Sequence, residues 1–116
     1  MKASKRLVEV IRPWGNFKQF ELNERCTVKV LTLKPHQETS LQSHQKRQEN
    51  WYFLSKGRAQ VGDKKFHVKE GDYIHVRKKE KHRVMAGNSP LKFIEISFGI
   101  FDEHDEKRYE DKYGRK

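Results

Sequence analysis

The chain has one cysteine, Cys26, in 116 residues. That excludes an intramolecular disulfide framework and fits a reducing compartment; the thiol is read as a small half-buried strand residue. Long apolar runs are missing too. The opening stretch MKASKRLVEV lacks the apolar centre of a signal peptide, and no segment is long and apolar enough to span a bilayer. The expectation is a cytoplasmic protein with no membrane partner. There is no glycine-rich phosphate loop and no alternation of strand and helix patterns, so the usual signals of nucleotide-binding folds are absent. Low-complexity tracts and internal repeats are also lacking.

What is present is charge. Charged residues make up 36% of the chain and hydrophobic ones 34%, which leaves one domain, residues 1–116, with a thin core. A small barrel or sandwich suits that balance, because only alternate strand residues face inward. Net charge is +10, from 26 Lys+Arg against 16 Asp+Glu. Such an excess attracts anions, including nucleic acid and phosphorylated metabolites. It is dispersed apart from RKKEKHR at 77–83, and no strand face interleaves bases with aromatics, so nucleic acid is not the expected partner.

The strand pattern is regular. After RPWGNF at 12–17, CTVKVLTL is β-branched and stops before Pro35. TSLQSH can be extended, and ENWYFLSKG is a strand closed by Gly57. Gly62-Asp63 turns a hairpin, Glu70-Gly71 turns into the next strand, and Gly87-Asn88-Ser89-Pro90 separates two more. Only the tail after Asp102, acidic early and basic late, has a helical composition. The expectation is an all-β jelly roll with a short C-terminal helical tail.

On an extended segment Gln42 and His44 point the same way, and on the following strand Glu49, Trp51 and Phe53 share a face. A fourth ligand from a distant strand is His82 in KKEKHRV. Imidazoles, a carboxylate and an amide oxygen make a borderline-hard site for a divalent metal, Zn²⁺ first, with Fe²⁺, Mn²⁺, Co²⁺ or Ni²⁺ also suited. A lone Gln-x-His means little; the co-occurrence of all four residues in one strand pattern is the signal. His36, His67, His75 and His104 lack that setting and are read as surface or structural. Glu95 interrupts the apolar strand LKFIEISF on the face of Phe93 and Ser97. Facing inward, burial would raise its pKa into the range of a general base; facing outward, it would pair with a surface lysine. Both orientations stay open. Trp14, Trp51 and Phe53 are read as packing residues, and Tyr109, Asp111, Tyr113 and Arg115 as a docking tail.

LQSHQKRQENWYFLSKG and EGDYIHVRKKEKHRV together resemble the two motifs of the cupin superfamily. More narrowly, with RPWGNF, VKVLTLKP, FIEIS and RYEDKYGR, nearly the whole chain is similar to the cupin domain of type II mannose-6-phosphate isomerases. That domain usually ends bifunctional mannose-1-phosphate guanylyltransferase/mannose-6-phosphate isomerase enzymes. The resemblance implies a double-stranded β-helix (a cupin jelly roll) and metal ligands at Gln42, His44, Glu49 and His82. It also implies interconversion of mannose 6-phosphate and fructose 6-phosphate, and a homodimer, for which a thin core and exposed strand edges also argue. Arg47 matches the family's arginine beside the metal motif and is the expected phosphate anchor, with Arg12, Arg108 and Arg115 as further cations; Glu95 and Arg47 are the expected catalytic pair. The guanylyltransferase portion is not in this sequence, so a separate chain is its expected source. The chain departs from the family at Gln45 and Lys46, where HHHR is usual, at Asn50, and at Arg77 and Lys79 in the second motif. An alternative is a non-catalytic metal-binding cupin that binds a sugar phosphate or sugar nucleotide as a regulatory subunit.

Overall fold

The computed structural model describes residues 7–115; residues 1–6 and Lys116, at the two ends of the sequence expectations above, lie outside it. A hairpin of β1 (Val8–Arg12) and β2 (Gly15–Gln19) stands apart as its own small sheet. Nine strands follow: β3 (Thr27–Leu33), β4 (Leu41–Ser43), β5 (Arg47–Phe53), β6 (Gly57–Val61), β7 (Lys64–Val68), β8 (Tyr73–Val76), β9 (His82–Met85), β10 (Leu91–Gly99) and β11 (Lys107–Glu110). They form two antiparallel sheets, ordered β3-β10-β5-β8 and β11-β4-β9-β6-β7. The all-β jelly-roll expectation therefore holds.

The local reasons are readable. The β6–β7 hairpin turns on Gly62-Asp63, and Gly62 takes φ +61°, the left-handed conformation that a two-residue turn matching strand twist requires. β5 is buried along almost its whole length because β10 and β8 flank it. Its inner side chains Trp51 and Phe53 pack edge-on to each other and against Phe93 of β10. Leu91, Val76, Val84, Ala59 and Val68 complete that core. On the outer face Phe20 lies edge-on to Tyr52 and beside Tyr73, while Val28 and Val30 stay exposed.

The helical tail is corrected. No helix occurs among the described residues, and Lys107–Glu110 is instead a strand on the open side of β4, with Arg108 opposite Gln42 and a bulge before Glu110. A three-residue strand with an unpaired edge leaves backbone donors and acceptors unsatisfied, and an isolated helix of a dozen residues is marginal in water. Pairing wins, and the Tyr109 hydroxyl joins Ser43 Oγ at 3.0 Å. The acidic-to-basic order serves a turn: Asp111 accepts from the Arg115 backbone N–H and from its guanidinium.

Candidate metal centre

The chain crosses from the five-stranded sheet to the four-stranded one between β4 and β5, and His44 sits at that crossing. Glu49 follows on β5, and His82 opens β9 of the opposite sheet. Two sheets thus aim three side chains at one point between them. Their nearest ligand atoms lie within 4.8 Å of one another, and Glu49 is only 1% exposed.

Both imidazoles have their orientation fixed from behind. His44 Nδ1 donates to the Asp105 carbonyl at 2.7 Å, and His82 Nδ1 donates to the Glu80 carbonyl at 2.9 Å. Carbonyl oxygens only accept, so each Nδ1 carries a proton, and in its neutral form each ring turns an Nε2 lone pair inward. Burial holds His82 neutral, below its ordinary pKa, against the pull of the Glu49 carboxylate. The two Nε2 atoms are 3.2 Å apart, close to the roughly 3.3 Å edge of a tetrahedron with nitrogen–metal bonds of about 2.05 Å. Glu49 oxygens stand 3.4 Å and 3.8 Å from them. Two imidazoles and a carboxylate, all buried, are a donor set for a cation, and the cluster could bind a metal.

Arg47 is brought to this cluster and not to open solvent. Its guanidinium donates to Glu49 Oε2 at 3.1 Å, to His44 Nε2 at 3.1 Å and to the Asp102 carbonyl at 3.3 Å, and it lies over the Phe101 ring. Trp51 Nε1 donates to the other Glu49 oxygen at 3.0 Å. Gln42 is the register partner of His82, so the two side chains leave the same face of the sheet. With its carboxamide oriented to satisfy both ends, its nitrogen donates to the Glu106 carboxylate. Three of the four expected ligands therefore converge, while the amide of the fourth turns to a neighbouring acid.

Glu95 faces inward, opposite Lys29 on β3 and Trp51 on β5. Burial, and then the Glu49 carboxylate, push its pKa from 4.5 up to about 8, against the pull of Arg47 and Lys29. Of the distal arginines only Arg108 borders the cluster, opposite Gln42 on the face that Gln42 shares with His82. Arg12 is on the separate hairpin with its guanidinium over Phe17, Arg108 is 2.7 Å from Glu106, and Arg115 is locked to Asp111.

The family model for the mannose-6-phosphate isomerase C-terminal domain matches residues 1–111. This chain belongs to that family. The cupin is 40% identical over 111 residues to the alginate biosynthesis protein AlgA of Pseudomonas aeruginosa, covering 92% of this chain and 23% of AlgA. To the mannose-1-phosphate guanylyltransferase ManC of Salmonella typhimurium it is 37% identical, covering 92% of this chain and 23% of ManC. It thus spans under a quarter of the length of these relatives. In fold it resembles a cupin 2 conserved barrel domain protein from Rhodopseudomonas palustris, with a TM-score of 0.66 at 17% identity over 76% of this chain and 60% of that one.

Sequence reasoning missed two parts of the cupin's site. Lys29 points into the barrel with Leu31 and Leu33, whereas Val28, Val30 and Thr32 are exposed. Its parity with Leu33, the last inward residue before Pro35, was the available signal. Asp105 was hidden in the presumed helix: its carboxylate accepts from the backbone N–H groups of Gln45 and Lys46 while its carbonyl holds His44.

Proposed function

We propose that the chain is a metal-dependent sugar-phosphate isomerase that interconverts mannose 6-phosphate and fructose 6-phosphate and so serves GDP-mannose and polysaccharide biosynthesis. The observation that carries this is the convergence of the His44 and His82 Nε2 atoms on Glu49, with the inward carboxyl of Glu95 close enough for the Glu49 charge to raise its pKa. Family membership supports it.

His44, Glu49 and His82 would hold the ion, Zn²⁺ first, with Gln42 adjacent on the same sheet face. When bound, a divalent ion polarises the substrate carbonyl oxygen. Glu95 as carboxylate takes the proton from carbon 2 of the open-chain aldose and returns it to carbon 1, while a hydroxyl proton passes from oxygen 2 to oxygen 1. A base with a pKa near the working pH suits both halves of that transfer. Trp51 and Arg47 hold Glu49 in place, and the aromatic wall of Trp51, Phe53 and Phe93 keeps water out of the inner barrel.

The same proposal includes a homodimer. Val28 and Val30 expose an apolar stripe beside a cleft of about 460 Å³ lined by Phe17, Phe20, Ile94 and Ile96, and a second copy of this face would cover both. It also includes a guanylyltransferase partner, because one relative of this segment is a mannose-1-phosphate guanylyltransferase.

A second proposal, a metal-binding cupin that holds a sugar phosphate without turning it over, is favoured by Gln45 and Lys46, which replace two histidines of the family's motif beside His44. A coupled assay with mannose 6-phosphate, with and without added divalent metal, separates the two. Metal-dependent formation of fructose 6-phosphate supports the isomerase, and saturable binding without turnover supports the second.

A further inference from the structure

Each arginine expected to anchor phosphate already has a partner. Arg47 is buried against Glu49, His44 and the Asp102 carbonyl; Arg108 is paired with Glu106, Arg115 with Asp111, and Arg12 sits on the separate hairpin. The rim of the barrel has another cation. Lys29 is the cross-strand neighbour of Glu95, and its side chain is 39% exposed, so the stem lines the cavity while the ammonium reaches solvent. Its Nζ lies 3.9 Å from the centroid of the Phe101 ring, the same ring that bears the Arg47 guanidinium. Among the described residues, the carboxylate paired with that ammonium is Glu103 Oε1 at 3.2 Å, from a side chain 76% exposed.

We propose that Lys29 is the phosphate anchor of the site and that Glu103 occupies its ammonium as a displaceable stand-in for the substrate's anion. This rests on the sugar-phosphate proposal for its ligand class. An exposed ion pair is weak, because water and salt screen it and two long side chains must be ordered to make it. A phosphate dianion brings twice the charge and three acceptor oxygens to the same donor. Phe101 fixes where the ammonium stands, and the register of β3 on β10 places it one strand from Glu95. The phosphate end of a hexose held there would leave the carbonyl end directed down into the barrel, toward Glu49 and the histidines.

The test is calorimetric binding of inorganic phosphate and of mannose 6-phosphate to the full chain, with neutral mannose as the control. Lys29→Gln is expected to weaken both phosphate ligands roughly ten- to hundredfold, the range of a hydrogen bond to a charged group. Glu103→Gln, at an exposed position that does not threaten folding, is expected to tighten both several-fold by removing the competitor. That tightening should vanish in the Lys29→Gln/Glu103→Gln double variant. Unchanged phosphate affinity in Lys29→Gln, or tightening by Glu103→Gln that persists without Lys29, would overturn the anchor. The isomerase proposal fails separately: Lys29-dependent phosphate binding without turnover upholds the anchor and sinks the isomerase. Turnover with unchanged KM in Lys29→Gln does the reverse.

Discussion

Nε2 of His44 and Nε2 of His82 face each other at 3.2 Å, while both Nδ1 protons are committed to carbonyls, so in the neutral rings two lone pairs meet. Two lone pairs at that distance repel unless a positive charge stands between or beside them, and the Arg47 guanidinium is the positive group that touches His44.

Metal content follows from that geometry. Protein purified without chelator is expected to hold one divalent ion per chain by elemental analysis, and the His44→Ala/His82→Ala variant to hold almost none. Unchanged stoichiometry in the double variant would remove the assignment.

The support behind His44 should matter nearly as much as the ring. Asp105→Ala frees the Gln45 and Lys46 amides and loosens the segment whose carbonyl holds Nδ1. Metal affinity, read by competition with a chelating dye, should fall roughly ten- to hundredfold with the ligands themselves intact.

Glu95 should make the metal-free protein less stable as the solution becomes alkaline. Its carboxyl titrates near 4.5 when unfolded and near 8 when folded, so between those values only the folded state keeps the proton. Stability from this group is complete below about pH 4.5, declines as pH rises, and is gone above about 8. Glu95→Gln lacks that slope. In chelator-treated samples its melting temperature should match wild type at pH 4.5 and exceed it by at least roughly 10 °C at pH 8.5. Under the isomerase proposal, the same variant in metal-supplemented protein should lose at least about a hundredfold in isomerisation rate.

Much of this was legible in the residues. Turn chemistry at Gly62-Asp63 and the regular spacing of short strands implied the jelly roll, and His44, Glu49 and His82 survive as a cluster because strand parity is a local property. The inward side of Glu95 was one of two open orientations, since parity alone does not say which face is the core. The inward side of Lys29 was readable from its parity with Leu33, but its place beside Glu95 depends on which strand pairs with which, and Asp105 depends on a loop that returns from far along the chain. Composition misled at the tail because charge order supports a helix only where no open strand edge competes, and β4 offers one.

Gly99 offers a test of the scaffold. It takes φ +108°, and a Cβ there would collide with the Lys46 carbonyl oxygen, a backbone atom that cannot rotate away. Gly99→Ala should cost roughly 2–4 kcal/mol and lower the melting temperature by roughly 10 °C. A loss under 2 °C would show that residues 46 and 47 can shift without penalty.

Association is checked by light scattering. The proposed dimer should persist at micromolar concentration, and Val30→Glu, which puts a charge on the apolar stripe, should shift it to monomer while circular dichroism stays unchanged. A monomer at every concentration tested would refute the dimer.

The carbonyl that orients His44 belongs to a residue 61 positions later in the chain. A nascent chain leaving the ribosome has both histidines and Glu49 in hand well before Asp105 emerges. Until then the His44 ring is free to flip and present either nitrogen. The centre is therefore finished only when residues 100–106 close over the barrel, so a ribosome stalled before Asp105 would hold a polypeptide with every ligand synthesised and no defined tautomer at His44.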